Sequence, residues 1–317
     1  MGGWVDFYTH MYAGGLDWQR GDGVSLREEG HVTDLLTAEA KKVIESRDPD
    51  SPFFLYLTYN APHSPLQTVP TNSGLNEGLE PGHRFVYGEM VTHLDAGIGQ
   101  VIDTLEAEGV LDNTIVVFSS DNGGATTLGA SNGDLRGDKG GSLEGGMRVP
   151  GLIWWPNHID GGQVLEQPIA VHDWLPTLLD AVGGDAADAI DPYGQSMWPA
   201  ISEGVQMDRV RMVVGARENM SAFDWPWKLV RMGADGEHEL YNVEQDPYEQ
   251  QNMAQQRPEI LAELEALLAA KPDVPSKRDT TPGGAGSFYA SGADTDYEAR
   301  LQETRPPWAE AAVRGSD

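Results

Sequence analysis

Short apolar runs alternate with helix-period patterns along the first two thirds of this chain. Residues 53–59, 114–119 and 151–155 are continuous apolar runs of strand length, which are typical of strands buried on both faces. Residues 33–47 and 84–108 instead repeat apolar side chains every three or four positions, as amphipathic helices do. Strands that alternate with helices predict an α/β fold with a largely parallel sheet flanked by helices.

The ends of the predicted helices carry recognisable signals. Thr33 or Asp34 is suited to cap the first helix, because both side chains accept hydrogen bonds from free backbone N–H groups. Gly109 is well placed to end the second helix. A shorter helix is predicted over residues 173–182, with Pro176 in its first turn.

The pattern changes beyond about Ser202. Residues 227–232 and 239–242 flank a polar, glycine-containing turn and predict a β-hairpin, and residues 258–270 predict an amphipathic helix. We therefore divide the chain into a partial α/β domain, a small subdomain with an antiparallel sheet and a helix, and a tail rich in proline and glycine. Their predicted bounds are residues 1–204, 205–271 and 272–317.

Charge and composition exclude several function classes. The chain has 50 acidic and 21 basic side chains, a formal net charge of −29, which argues against binding to nucleic acids or anionic membranes. No apolar stretch approaches the length of a transmembrane helix, and the first residues lack the pattern of a signal peptide. With no cysteine, the chain has no disulfide, zinc–thiolate site, iron–sulfur cluster or cysteine nucleophile.

A candidate metal site follows the second apolar run. Asp121 and Asn122 stand directly after it and precede two glycines, and strand ends are where α/β proteins bind ligands. Carboxylate and amide oxygens suit Ca²⁺ or Mg²⁺. The same residues also favour a simple turn, so spacing alone leaves both interpretations open.

A candidate anion site lies in the glycine-rich residues 135–150. Arg136, Lys139 and Arg148 cluster there in a chain with few cations, and such groups bind sulfate, phosphate or carboxylate. His63, between Pro62 and Pro65, is placed to donate a hydrogen bond to an anionic substrate. A solvated basic loop and a structural histidine are the alternatives.

Several stretches, in this order, carry a family resemblance. They are residues 52–57 with 61–67, 87–95, 118–124, 135–139 with 144–150, 173–177 and 240–247. Together they resemble the sulfatase family of the alkaline-phosphatase superfamily, and its arylsulfatase B-like and bacterial polysaccharide sulfatase members in particular. The resemblance covers about residues 1–270.

The resemblance implies an alkaline-phosphatase-like α/β fold and Ca²⁺-dependent hydrolysis of an aryl or carbohydrate sulfate ester, with Mg²⁺ as the alternative ion. It implies that Asp121 and Asn122 are two of four protein ligands of the metal. Lys139 is expected to contact the sulfate and stabilise the leaving oxygen, and His63 to hydrogen-bond the ester. We predict that Arg136 also binds the substrate, a sulfated small molecule or saccharide.

One departure from the family limits these expectations. The sulfatase nucleophile is formylglycine, made from Cys or Ser in a Cys/Ser-x-Pro-x-Arg motif, and this sequence contains no such motif. We therefore expect that the family's N-terminal third is missing, that formylglycine cannot form, and that the chain alone has little or no turnover. The loss is expected to expose the apolar residues 53–59 unless a second chain or self-association covers them.

Two other functions remain open at this stage. The chain could be a non-catalytic metal- or anion-binding protein, or a subunit that another chain completes. It could also be a phosphodiesterase or phosphonate hydrolase of the same superfamily. Family members are usually periplasmic, secreted or lysosomal, and the sequence leaves the localisation undecided.

Overall fold

The computed structural model describes residues 5–12, 15–21, 24–69, 73–184, 194–216, 219–233 and 236–270. The predicted tail over residues 272–317 lies outside them. The described residues form two units. The first runs to Leu111 and includes Thr127–Ala130, and the second comprises Asp112–Thr126 and the residues from Ser131 onwards. The predicted boundary after residue 204 stays a prediction.

The first unit is built around two long helices. Its elements are β1 (Met11–Tyr12), β2 (Gly15–Leu16), β3 (Gln19–Arg20), β4 (Val24–Ser25), α1 (Val32–Glu45) and α2 (His83–Ala107). The strands form two short antiparallel pairs, β1–β2 and β3–β4. The predicted helices are therefore confirmed. Their apolar faces join a buried core of Val5, Phe7, Tyr8, Trp18, Val32, Ala61 and Met90.

The start of α1 and the end of α2 differ in how well the sequence predicts them. The N-cap of α1 is His31, whose Nδ1 accepts a hydrogen bond from the N–H of Thr33 at 3.2 Å. The predicted cap at Thr33 or Asp34 is wrong, because both residues already lie inside the helix. At the end of α2, Gly109 has a φ of +68° and donates to the carbonyl of Glu106, as predicted for a glycine that ends a helix.

Residues 53–59 do not form the predicted buried strand. They form no part of any strand, and Phe54 and Tyr56 are 82% and 79% exposed. Phe53, Leu55 and Leu57 are half-buried, so alternate side chains still face opposite sides as in a strand. The prediction is wrong because a strand needs a hydrogen-bonding neighbour, and the described residues provide none for this segment.

The second unit begins with a strand pair and ends with a sheet covered by a helix. Its elements are β5 (Val116–Ser119), α3 (Glu144–Met147), β6 (Gly151–Trp154), α4 (Trp174–Ala181), α5 (Trp198–Glu203), β7 (Met212–Ala216), β8 (Asn219–Asp224), β9 (Trp227–Arg231), β10 (His238–Asn242) and α6 (Pro258–Ala269).

The pairing of β5 with β6 corrects one expectation. The two strands are antiparallel, with Phe118 opposite Leu152, rather than parallel. The long connection between them contains only short helical turns, whereas a parallel crossover usually returns the chain through a full helix. The strands are also less buried than predicted, since Leu152 and Trp154 are exposed.

The C-terminal sheet confirms the predicted hairpin and helix. Strands β7 to β10 form an antiparallel meander in the order β10-β9-β8-β7. Leu229 and Leu240 are cross-strand partners in the buried core that the sheet shares with Leu264 and Leu268 of α6. No helix in the described part of the chain has the length and hydropathy needed to cross a bilayer.

Candidate active site

Backbone hydrogen bonds join the two loops that the sequence singled out. The first site loop (residues 120–124) follows β5, and the second site loop (residues 135–148) precedes β6. The N–H of Gly123 donates to the carbonyl of Gly146 at 3.0 Å, and the N–H of Lys139 donates to the carbonyl of Gly124 at 3.2 Å. The structure therefore joins the loop that carries Asp121 and Asn122 to the loop that carries Arg136 and Lys139.

Glycine is required where the two loops touch. A Cβ atom on Gly123 would lie 1.9 Å from the carbonyl oxygen of Gly145, and one on Gly145 would lie 2.5 Å from that of Gly137. Any side chain at these positions would push the loops apart. The high glycine content of this region therefore reflects close approach of backbones.

Two polar side chains fasten the loops further. Asn132 accepts from the N–H of Gly124 at 2.7 Å and donates to the carbonyl of Gly137 at 3.2 Å. Asp138 accepts from the N–H of Lys139 at 2.7 Å and from the N–H and hydroxyl of Thr126. Burial raises the pKa of Asp138, but these hydrogen bonds outweigh it and lower the pKa below its usual value.

The predicted functional groups are left unengaged within this framework. Asn122 uses its Nδ2 to donate to the carbonyl of Gly123, and its Oδ1 accepts from no described residue. Among the described residues, neither the exposed carboxylate of Asp121 nor the ammonium of Lys139 has an ion-pair or hydrogen-bond partner. Two hard oxygen donors and one cation on joined loops fit a hard metal ion and an oxyanion.

Arg136 has a different environment. Its Nη1 donates to the hydroxyl of Tyr241 at 2.7 Å, to the carbonyl of Glu249 at 3.2 Å and to Glu239 at 3.3 Å. These contacts attach the second site loop to β10 and the segment after it. The predicted role of Arg136 in substrate binding stays a prediction.

A buried charge cluster, which the sequence did not predict, supports the same loop. The ammonium of Lys228 is fully buried and lies 2.7 Å from Glu144 and 2.9 Å from Glu249. Glu249 also accepts the N–H of Glu144 at 2.7 Å, which starts α3. Burial raises the pKa of Glu249, and Lys228 opposes that change. The only sequence signal was a lysine inside the apolar β9.

His63 belongs to the first unit, whereas Asp121, Asn122, Arg136 and Lys139 belong to the second. The Nδ1 of His63 donates to the carbonyl of Ser64 at 2.6 Å, and its N–H donates to the carbonyl of Asn60. Gln67 anchors the end of this loop through hydrogen bonds to the N–H of Phe7 and to Asp6.

The first unit also contains a cluster close enough to hold a metal ion, formed by His31, Asp34 and His93. His93 Nε2 lies 2.7 Å from Asp34, and this hydrogen bond lowers the pKa of Asp34. His31, however, uses Nδ1 to accept from Thr33 and Nε2 to donate to Gln67. Because both ring nitrogens are engaged, His31 is poorly suited to be a metal ligand.

Comparison with known proteins identifies the family. Residues 3–184 match the family model described as Sulfatase. The chain belongs to the sulfatase family. It is 34% identical over 212 residues to arylsulfatase J of Mus musculus and 35% identical over 187 residues to N-acetylgalactosamine-6-sulfatase of Homo sapiens.

A similar solved structure supports the fold. The protein Ps i-CgsB, crystallised in complex with k-i-k-neocarrahexaose, is 30% identical, with a TM-score of 0.72 over 78% of this chain. The alkaline-phosphatase-like α/β fold is therefore confirmed. This sulfatase chain covers 56% of Ps i-CgsB but only 36% and 34% of the mouse and human relatives, which in turn align with 65% and 57% of it.

Proposed function

We propose that this chain supplies the metal- and sulfate-binding part of a sulfuric ester hydrolase that acts on a sulfated saccharide. One observation carries the proposal: Asp121, Asn122 and Lys139 stand with unengaged side-chain atoms on two loops joined by backbone hydrogen bonds. The relatives include both an arylsulfatase and an N-acetylgalactosamine-6-sulfatase, and the complex of Ps i-CgsB with k-i-k-neocarrahexaose supports the choice of a saccharide.

Each candidate residue has a defined role in this proposal. Asp121 and Asn122 would hold Ca²⁺, with Mg²⁺ as the second choice, and the bound ion would offset charge on the sulfate oxygens. Lys139 would bind a sulfate oxygen and stabilise the leaving oxygen as negative charge develops on it. His63 would hydrogen-bond the ester oxygen.

The nucleophile has to come from outside this sequence. The chain contains neither cysteine nor a Ser-x-Pro-x-Arg motif, so the family's formylglycine cannot be generated within it. Binding and leaving-group stabilisation without a nucleophile leave the covalent step unavailable. We therefore propose that the chain alone turns over sulfate esters slowly or not at all.

Calcium titration tests the metal assignment. Isothermal calorimetry with Ca²⁺ is expected to show one weak site, which Asp121→Ala or Asn122→Ala weakens at least tenfold. Asp134→Ala, which removes another exposed carboxylate from the same unit, is the matched control and is expected to leave the affinity unchanged. Equal Ca²⁺ binding by the wild type and Asp121→Ala would refute the assignment.

Two assays separate this proposal from its alternatives. Aryl sulfate turnover by the purified chain that Lys139→Ala abolishes would show that the chain is catalytically complete and contradict the need for an outside nucleophile. Faster hydrolysis of aryl phosphate than of aryl sulfate would favour a phosphodiesterase or phosphonate hydrolase instead.

The unpaired residues 53–59 indicate how such an enzyme would be completed. Within the described residues, the backbone of residues 53–58 makes no hydrogen bond, although its side chains alternate as in a strand. Ps i-CgsB is nearly twice as long as the aligned part of this chain. We propose that a β-strand from the portion of a sulfatase that this sequence does not cover pairs with residues 53–58 and covers Phe54 and Tyr56.

Complementation tests this pairing. Co-expression with the uncovered portion of Ps i-CgsB is expected to give a complex on gel filtration and to protect the amides of residues 53–58 from hydrogen exchange. The double variant Phe54→Lys/Tyr56→Lys is expected to lose the complex, whereas Val91→Lys, which alters an exposed apolar residue of α2, retains it. A homodimer that disappears in the double variant would instead make a second copy the occupant.

A further inference from the structure

A cavity of about 380 Å³ opens at one end of the C-terminal sheet, and neither site loop contributes to it. Its lining combines one aromatic ring, one guanidinium and several amides, from Trp227, Asn242, Gln245, Asp246, Gln251, Met253 and Arg257. Trp227 and Asn242 are cross-strand partners at the end of the β9–β10 hairpin. The volume falls in the range of about 300–1,000 Å³ that is typical of small-molecule sites.

The cavity wall is held by hydrogen bonds between backbone groups and the side chains of two lining residues. Asp246 accepts from the N–H groups of Gln250 and Gln251 at 3.1 and 2.8 Å, and Asn242 accepts from the N–H of Gln245 at 3.1 Å. Met253 donates its N–H to the carbonyl of Leu240 at 2.8 Å. These bonds occupy both oxygens of the Asp246 carboxylate and fix the loop after β10.

The remaining polar atoms are available to a ligand. Among the described residues, no partner engages the guanidinium of Arg257 or the side-chain amides of Gln245 and Gln251. Arg257 stands just before α6 and has no carboxylate within ion-pair distance in the described part of the chain. The cavity thus presents a planar cation, two free amides and the amide nitrogen of Asn242 beside an indole ring.

This combination suits a sulfated sugar. The apolar face of a sugar ring packs against an indole, amide groups hydrogen-bond its hydroxyls, and a guanidinium binds a sulfate with two parallel hydrogen bonds. Asp246 also lines the cavity, but among the described residues it forms no ion pair with Arg257 and already accepts two backbone N–H groups. The guanidinium is therefore the charged group left to favour an anionic over a neutral sugar. We infer that the cavity is a second saccharide-binding site, which takes a sulfated mono- or disaccharide unit apart from the candidate active site.

The choice of a sulfated sugar rests in part on the proposed function, but the site itself does not. Its residues are distinct from Asp121, Asn122 and Lys139, so the two sites are tested by different variants. For an enzyme whose own charge is strongly negative, a site that holds the saccharide would offset the repulsion that slows its encounter with a polyanion.

Nuclear magnetic resonance of the ¹⁵N-labelled full chain tests the inference, with N-acetylgalactosamine 6-sulfate as the probe. The indole N–H signal of Trp227, assigned with Trp227→Phe, is expected to shift in a saturable way. Arg257→Ala is expected to weaken binding at least tenfold and to bring it to the level of unsulfated N-acetylgalactosamine. Gln251→Ala, which removes an exposed side chain, is expected to weaken binding about threefold without affecting folding.

The controls define what would overturn the inference. Tyr248→Ala removes another exposed aromatic ring of the subdomain, and Lys42→Ala removes an exposed cation of the other unit, and both are expected to bind like the wild type. Lys139→Met is expected to leave the Trp227 shift unchanged. Loss of the shift in Lys139→Met, equal affinity for inorganic sulfate, or no shift with the sulfated sugar would each refute the second site. None of these outcomes bears on the Ca²⁺ titration of Asp121→Ala.

Discussion

The ammonium of Lys228, which is fully buried, lies 2.7 Å from the carboxylate of Glu144 at the start of α3. This ion pair joins β9 of the C-terminal sheet to the second site loop. A hydrogen bond strengthens the attachment, because the hydroxyl of Ser221 donates to the carbonyl of Ser142 at 2.8 Å. The sheet is therefore a support for the candidate active site.

Replacement of Lys228 by methionine is expected to destabilise the second unit strongly. The change leaves the carboxylate of Glu249 buried without its counter-charge, and leaves Glu144 with only the half-exposed Arg148 at 4.0 Å. Removal of one partner from a buried ion pair costs about 3–5 kcal/mol. Urea unfolding measures the loss. Lys42→Ala, which breaks an exposed pair with Glu39, is the control and is expected to change stability by less than about 0.5 kcal/mol. A loss below about 1 kcal/mol for Lys228→Met would contradict the supporting role.

Gly123→Ala is expected to separate the two site loops. The added Cβ would overlap the carbonyl oxygen of Gly145, which is backbone and cannot rotate away. We expect a loss of about 2 kcal/mol or more and the loss of Ca²⁺ binding. Gly161→Ala lies in the same unit with open space around its Cβ and is expected to be neutral. Similar unfolding midpoints for the two variants would show that the loops are not packed as described.

The first unit is expected to lose stability between pH 6.5 and pH 4. Burial, followed by the neighbouring His93, lowers the pKa of His31 from 6.5 to about 4. The unfolded chain therefore binds a proton over this range that the folded chain excludes, so stability is full above pH 6.5 and falls towards pH 4. Other groups that face His31 have opposite effects on this pKa. His10 lowers it further, whereas Asp34 and the carbonyl of Gln67 raise it.

The variant His31→Asn separates the protonation of His31 from its role as the N-cap of α1. Asparagine keeps a side-chain acceptor for the N–H of Thr33, so α1 retains its cap. Hydrogen exchange of α1 in the wild type is expected to rise by the equivalent of about 3 kcal/mol between pH 7 and pH 4, after correction for the intrinsic rate. In His31→Asn this change is expected to be much smaller. An unchanged pH dependence would assign it to another group.

Asp138→Ala is expected to loosen Lys139 without unfolding the unit. The carboxylate of Asp138 holds the N–H of Lys139 and both donors of Thr126, and its lowered pKa means that this stabilisation is present above the ordinary range of an aspartate and is lost as the pH falls below it. We expect a loss of about 1–2 kcal/mol and at least threefold weaker sulfate binding by nuclear magnetic resonance. Unchanged sulfate affinity would separate Asp138 from the site.

Local sequence signals predicted the parts of the fold that depend on neighbours close in the chain. The periodicity of α1 and α2 and the turn chemistry of the β9–β10 hairpin are local, and all three are confirmed. The strand predicted at residues 53–59 failed because β structure depends on partners that the segment itself cannot provide. The cap at His31 was missed because histidine is an uncommon N-cap residue.

The residues of the candidate site differ in how visible they are in the sequence, for the same reason. Asp121, Asn122 and Lys139 stand out because oxygen ligands and cations among glycines are visible in the sequence. Lys228 and Glu249 do not, because their pairing with Glu144 joins residues about a hundred positions apart, and nothing local marks them. The cavity at Trp227 was missed likewise, since its lining comes from a strand pair, a loop and the start of a helix.

The attachment of the second site loop to β9 and β10 also limits how such enzymes diversify. Exchange of the C-terminal sheet between two relatives would leave Glu144 facing a foreign strand, and Arg136 would lose Tyr241 and Glu239. A recombination event that preserves these contacts has to transfer residues 135–148 together with residues 219–249. Inheritance of the second site loop and the C-terminal sheet is thereby coupled.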